Sequence, residues 1–269
     1  MLKVRKIIWY ILRHFFVRPL YLCTYVKNYF NPDYLLNIQY YQTNELVEAL
    51  KSGKSLIRIG DGEIYIMNGG SISYQKFYPG LQKSLLSIVN DYSDDSPYLL
   101  GLNKIPISKS NAQLKKDNLI TCWLPMKVYW NLYFNKNAHY FDATAFYYNE
   151  TIPKYFEEYF KTKQLILVTR EGTITSLKNN KLFPFTAIEY ILTPDENTYE
   201  QYGTILEEIL AAVDRHVTSN VIVLLACGPA SKALALTLTK KNIVSIDVGR
   251  GIEVAYTEER IDHIIYPGM

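Results

Sequence analysis

Histidine and cysteine are scarce in this chain of 269 residues, with four and three copies. No two histidines stand at zinc-ligand spacing, and Cys23, Cys122 and Cys227 are odd in number and far apart. That excludes a zinc site of His and Cys and a disulfide framework, and a reducing, cytoplasmic setting is expected. Long apolar runs are missing from the N-terminal segment. The longest uncharged stretch within residues 1–30, Pro19 to Val26, has eight residues, against the roughly 20 that a membrane-crossing helix needs. No small-residue cleavage site follows, so a secretory leader is not expected. The same segment has no acid, but it carries six cations, Lys3, Arg5, Lys6, Arg13, Arg18 and Lys27. Taking those six from the 29 Lys and Arg leaves 23 against 26 Asp and Glu, so the remainder is net −3. A nucleic-acid groove needs basic residues across the fold, and nucleic acid is therefore not an expected partner.

What is present suits a packed domain. Hydrophobic residues make up 48% and charged residues 20%, which argues against disorder. The 24 tyrosines suit core edges, sugar-facing clefts and membrane interfaces alike. Ile7, Ile8, Ile11, Leu12, Phe15 and Phe16 recur at helical spacing, with Arg13 and His14 off the stripe and Pro19 ending it. An aromatic stretch from Leu20 to Phe30 follows. Two readings stand for residues 1–30. One is an interfacial helix on the inner face of the cell membrane, apolar side in the headgroups and cations on anionic lipid. The other is a helix packed on the domain or on a second subunit.

Downstream, apolar strands alternate with helices. The pattern predicts a helix over Thr43–Lys51 capped by Thr43, a strand over Ser55–Ile59, a glycine loop, and a helix from Ile64 to Met67. A helix over Pro79–Val89, a strand over Tyr98–Leu102 and a helix over Tyr155–Phe160 come next, and Ile105 to Glu150 shows no clear period. The second half predicts strands at Gln164–Thr169, Ala187–Leu192, Val221–Ala226 and Ile243–Asp247, with helices at Tyr199–Val213 and Ala230–Lys240. The expected fold class is α/β, a Rossmann-like, doubly wound and mostly parallel sheet. Residues 1–40 form an N-terminal amphipathic helical appendage to a domain over 41–269.

In such sheets ligands bind at the carboxyl ends of the strands, and three of these ends carry chemistry. After the strand at 55–59 comes Arg58-Ile59-Gly60-Asp61-Gly62-Glu63. In extended backbone Asp61 and Glu63 would face one side about 6.5 Å apart. Two carboxylates so placed can share Mg²⁺ or Mn²⁺ with substrate phosphates. Gly60 and Gly62 would let backbone approach a ligand, and Arg58 offers a fork of donors to phosphate. The plainer reading is a Gly-Asp-Gly turn whose acid caps the next helix. After Val221–Ala226, Cys227-Gly228-Pro229-Ala230-Ser231 forms a glycine turn into a helix N-terminus, which favours phosphate. It is neither a dinucleotide fingerprint nor a P-loop. After the last strand, Asp247-Val248-Gly249-Arg250-Gly251 with Glu253 offers an acid and a cation for ribose, sugar hydroxyls or phosphate. No Gly-x-Ser-x-Gly motif occurs.

Taken in order from about Thr43 to Tyr256, these residues resemble the bacterial GT-D-type glycosyltransferases. The carriers are Arg58 to Glu63, Tyr74-Gln75, Pro194-Asp195-Glu196-Asn197 with Tyr199 and Tyr202, Ala226 to Ser231, and Asp247-Val248-Gly249. The resemblance implies a nucleotide-diphosphate sugar donor, usually UDP-linked, and a divalent metal held through Asp61 and Glu63. It makes Arg58, Gly60, Gly62, Gln75, Asn197, Gly228, Pro229, Ser231, Asp247 and Arg250 candidates for donor binding. The acceptor is a growing glycan, lipid-linked if the N-terminus touches membrane. Asp61, Glu63 and Glu253 are the catalytic candidates, with Glu63 or Glu253 taking the acceptor's proton. Three departures stand out: Arg250 in the usual place of His, no Arg within Asp142–Tyr148, and Arg170-Glu171-Gly172 as a loose version of a Glu-Gly pair. Arg250 would offset diphosphate charge and lessen metal dependence. Two other readings remain, a degenerate partner of an active transferase and an S-adenosylmethionine-dependent methyltransferase built on the Gly228 turn and Asp247.

Overall fold

The computed structural model describes residues 18–145, 151–179 and 188–249. The stripe from Ile7 to Phe16, and Arg250, Gly251 and Glu253, lie outside the described residues. Helix α1 (Arg18–Tyr29) leads through the two-residue strand β1 (Gln39–Tyr40) to α2 (Thr43–Lys51). Strand β2 (Ser55–Ile59) enters α3 (Asp61–Met67), followed by α4 (Pro79–Asn90) and β3 (Tyr98–Leu102). Ile105 to Glu150, where no period is visible, holds most of the short α5 (Lys104–Ile107), then α6 (Asn111–Lys116), α7 (Ile120–Tyr133) and β4 (His139–Asp142). The second half runs α8 (Thr151–Lys161), β5 (Gln164–Thr169), α9 (Glu171–Asn179), β6 (Ile188–Leu192), α10 (Tyr202–Val213), β7 (Val221–Ala226), α11 (Ala230–Thr239) and β8 (Ser245–Asp247).

The strands form one eight-stranded sheet in the order β1-β4-β3-β2-β8-β7-β5-β6, and every paired neighbour is parallel. Alternating side chains explain why both faces are covered. Ile57, Ile59, Leu100, Leu102, Ile166, Val168, Val223 and Leu225 join a core with residues of α3, α4, α7, α10 and α11. Their neighbours Leu56, Leu99, Leu165, Leu167, Ile222, Leu224 and Ile246 pack against α2 and α8 on the other face. The doubly wound expectation is met.

Local chemistry moved several ends. Gln42, not Thr43, precedes the first turn of α2, and the Glu45 carboxylate accepts its N–H at 2.8 Å. α3 starts at Asp61, not Ile64, so Asp61 and Glu63 are helical and not extended. The helix expected from Tyr199 is split, with a 3₁₀ turn at Thr198–Gln201 before α10. β8 starts at Ser245 because Asn242 takes a left-handed φ of 59° and the Ile243 N–H bonds back to Leu238 at 3.0 Å.

Residues 18–40 are tied to the main core. Tyr21 is buried edge-on against Tyr129 of α7. Asn111 Nδ2 donates to the carbonyls of Asn28 at 2.6 Å and Asn31 at 3.0 Å. Lys127 Nζ donates to the carbonyls of Tyr34 at 2.9 Å and Lys109 at 2.6 Å, and to Asn111 Oδ1 at 3.2 Å. None of these three acceptors carries charge, so burial lowers the Lys127 pKa to about 8. A lowered amine pKa means the unfolded chain binds more protons in the interval above 8. Stability contributed by this group therefore rises from pH 8 towards pH 10, by up to about 1.4 kcal/mol per pH unit. Chemical denaturation at pH 8, 9 and 10 should show the stability difference between wild type and Lys127→Met shifting in favour of the wild type as pH rises, while the buried tyrosines act equally on both.

Candidate active site

At β2 and β8 the winding of the sheet reverses, with β3 and β4 beyond one and β7, β5 and β6 beyond the other. A crevice opens at such a reversal, outside the strand carboxyl ends. A cleft of about 620 Å³ lies there. Its walls come from the ends of β2 (Arg58, Gly60, Glu63), β3 (Asn103), β5 (Arg170), β6 (Thr193, Pro194, Asp195), β7 (Cys227, Gly228, Pro229) and β8 (Gly249), with Lys232, Tyr74, Gln75 and Thr198. The described residues of all three strand-end motifs expected from the sequence meet at this edge.

Beneath the cleft is a cluster of four charges. Lys232 Nζ, on the first turns of α11, lies 3.2 Å from Glu63 Oε1 and 3.0 Å from Asp247 Oδ2. Arg58 Nε stands 3.7 Å from the same Asp247 oxygen, which also accepts the Arg58 backbone N–H at 3.3 Å. Asp247 is fully buried, and Glu63 and Lys232 nearly so. Burial alone would pull the Lys232 pKa down, but Asp247 and Glu63 outweigh it and hold the ammonium charged, above its ordinary value. Asp247 Oδ1 is buried with no hydrogen-bond partner among the described residues.

The glycines here have specific reasons. Gly249 has φ +49°, and a Cβ would stand 1.7 Å from Arg58 Nη2, so the guanidinium lies against bare backbone. Gly228 has φ +65°, and a Cβ would meet the Tyr74 ring at 3.2 Å. Ser231 is fully buried and its Oγ accepts the Cys227 N–H at 3.0 Å, locking the turn from below the cleft. Burial pushes the Cys227 thiol up to about 12, so it is not a thiolate at neutral pH.

Several expected ligands have other partners. Gln75 lines the cleft, but its Oε1 accepts the Tyr199 N–H at 3.2 Å and its Nε2 donates to the Lys76 carbonyl at 3.0 Å. Asn197 is not among the lining residues. It takes a left-handed φ of 56°, and its Oδ1 accepts the Lys76 N–H at 2.8 Å. Both clamp the loop after α3 onto the turn that follows β6. Gly62 faces Ile72 and the Tyr74 hydroxyl.

The Asp61–Glu63 pair departs most from expectation. Two residues apart on a helix, the side chains are separated by about 200° around the axis. An acid does cap the helix, but it is Glu63 and not the Asp61 of the Gly-Asp-Gly turn: Glu63 accepts the Gly60 N–H at 2.9 Å at the start of α3, and it also faces Lys232. Asp61 is exposed and outside the lining of the cleft. Partial shielding of its carboxyl from water, and then Glu63, raise its pKa. Among the described residues no group of three or more His, Cys, Asp or Glu is placed to hold a metal. The donor set does not fit the expected two-carboxylate cradle, since the ammonium of Lys232 already lies beside Glu63.

Lys232 itself was not anticipated. Its signal is present in the sequence. It is the single charged residue of α11, in the otherwise uncharged run Ala230–Thr239, four residues past Gly228. Tyr74 was read as part of a motif without a role, while Asn103 and Thr193 carried no pattern that would have marked them.

Comparison with known proteins agrees with this fold. A family model described as glycosyltransferase GT-D fold matches residues 56–258, and the chain belongs to this family. A curated relative, the probable glycosyl transferase Gly of Streptococcus gordonii, is 26% identical over 217 residues. That match takes in 74% of this chain and spans 30% of the relative's length. A solved structure described as a new glycosyltransferase (DUF1792) from Streptococcus sanguinis superposes with a TM-score of 0.64 at 24% identity, covering 82% of this chain and 84% of that one. A second, described as the domain of unknown function 1792 with a distinct glycosyltransferase fold, gives a TM-score of 0.62 at 24% identity, over 88% and 84%. At these identities the two structures bear on the fold.

The buried cluster makes a stability prediction. Asp247→Ala leaves two cations facing one carboxylate and should cost about 3–5 kcal/mol in chemical denaturation. Removing the exposed Glu48 that pairs with Lys51 on α2 should change stability by no more than about 0.5 kcal/mol.

Proposed function

We propose that this chain transfers a sugar from a nucleotide-diphosphate donor, UDP-linked by resemblance, to a hydroxyl of a growing surface glycan. The observation that carries the reading is the convergence, at the reversal of a parallel sheet, of a glycine turn opening α11 with the forked guanidinium of Arg58. Helix N-termini and guanidinium groups both suit phosphate. In the reaction the bond from the anomeric carbon to the diphosphate oxygen breaks, a bond to the acceptor oxygen forms, and the acceptor's proton passes to a base. Arg58 and the N-terminus of α11 stabilise the negative charge that develops on the leaving diphosphate. Of the expected bases, Glu63 is engaged with Gly60 and Lys232, and Glu253 lies outside the described residues.

Calorimetric titration with UDP tests the site. The wild type should bind, and Arg58→Met should weaken binding about tenfold or more, which is about 1.4 kcal/mol. Asp61→Asn, outside the lining of the cleft, should leave UDP binding unchanged. UDP binding with no turnover against any donor and acceptor would favour the non-catalytic partner, and no UDP binding at all would defeat the donor assignment.

We also propose that α1 brings the enzyme to a membrane bearing the acceptor. Leu22 and Val26 of α1 and Phe30, just past its end, recur at four-residue spacing and stand 56%, 52% and 76% exposed. No helix among the described residues is long and apolar enough to cross a membrane. An exposed apolar stripe on a segment with cations and no acid suits an anionic bilayer surface. The full-length protein should co-sediment with phosphatidylglycerol vesicles at low salt, and replacing all three residues by Ser should reduce the bound fraction several-fold. Failure of the wild type to co-sediment would remove this proposal and leave the transferase reading untouched.

A further inference from the structure

We propose that Arg58 and Lys232 jointly occupy the electrostatic place of a divalent cation in this chain, so that the donor diphosphate binds without a metal ion. The inference rests on the donor reading above and goes beyond it. A divalent ion between two carboxylates makes a neutral set. Here Glu63 and Asp247 supply the two negative charges, and the two positive charges come from the side chains of Lys232 and Arg58.

The positions support the exchange. The Lys232 ammonium lies 3.2 Å from Glu63 Oε1, 3.0 Å from Asp247 Oδ2 and 3.3 Å from the Gly228 carbonyl. It is thus fixed under the glycine turn where the diphosphate would bind, and both it and Arg58 line the cleft. Its side chain is 7% exposed and that of Arg58 15%, so the charges are partly shielded from water and act at longer range than surface lysines do. Because all four groups are held by one another, the field on the diphosphate is set before it arrives. A divalent ion approaching Glu63 or Asp247 would have to displace a buried ammonium of like charge. Lys232 acts here as a positioning charge, and Arg58 is the cation placed to touch the phosphate.

The test is UDP titration in EDTA and in Mn²⁺, with electron paramagnetic resonance of Mn²⁺ to count immobilised ions. The wild type should bind UDP with affinities within about threefold in the two conditions, and should immobilise no Mn²⁺ beyond what UDP alone holds. Lys232→Met, which removes the charge at similar volume, should lose about tenfold or more in EDTA. It should recover in Mn²⁺ with one ion immobilised per chain, because Glu63 and Asp247 then have Arg58 as the one remaining cation of the cluster. Lys232→Arg should retain most metal-free binding. A residue with a purely structural role would not create metal dependence. Wild-type binding that requires Mn²⁺ overturns the inference while keeping the donor reading. So does metal-free binding that Lys232→Met leaves unchanged. If Lys232→Met does not fold, the wild-type comparison and Lys232→Arg decide. Absence of UDP binding in both conditions overturns the donor reading along with this one.

Discussion

The ion cluster under the cleft ties the site to the fold. Lys232 stays charged in a nearly dry position because carboxylates from two separate elements meet it, Glu63 from the first turn of α3 and Asp247 from the end of β8. Arg58 adds the end of β2. Four charges from segments far apart in sequence close on one another, and each is acceptable there because the others are present. The arrangement fixes how β2, β8 and the start of α11 sit at the sheet's carboxyl edge. The turns above it follow from the same need. Gly249 is glycine so that the guanidinium can lie on its backbone, and Gly228 so that Tyr74 can lie on its own.

Around that centre the loops are held by side chains that ligand-binding logic would have assigned to the substrate. Gln75 and Asn197 spend their hydrogen bonds on backbone across the gap between the loop after α3 and the turn after β6. Ser231 holds the Cys227 turn. They shape the cleft wall without presenting their polar atoms to it, which is one way a site keeps its geometry before a ligand arrives.

The regular part of the fold was legible because its physics is local. β2, β3, β5 and β7 were read to the residue, since a parallel strand covered on both faces must be a short, nearly continuous apolar run. The helix of α7 was not, because it is apolar over most of its circumference and contains Pro125, which erases the amphipathic period. The Asp61–Glu63 pair was misplaced for a related reason. A Gly-Asp-Gly-Glu string is compatible with an extended loop or with a capped helix start, and the decision came from Glu63 accepting the Gly60 N–H.

The fold class, the strand ends that carry chemistry and the likeness to GT-D glycosyltransferases follow from residue order alone, because strand periodicity, glycine turns and motif order are properties of neighbouring residues. Which charges meet is set by how distant segments pack. Nothing in the spacing of Glu63, Lys232 and Asp247 says that an ammonium will sit beside both carboxylates. That follows from the reversal of strand order between β2 and β8, which brings the start of α3, the start of α11 and the end of the last described strand to one point.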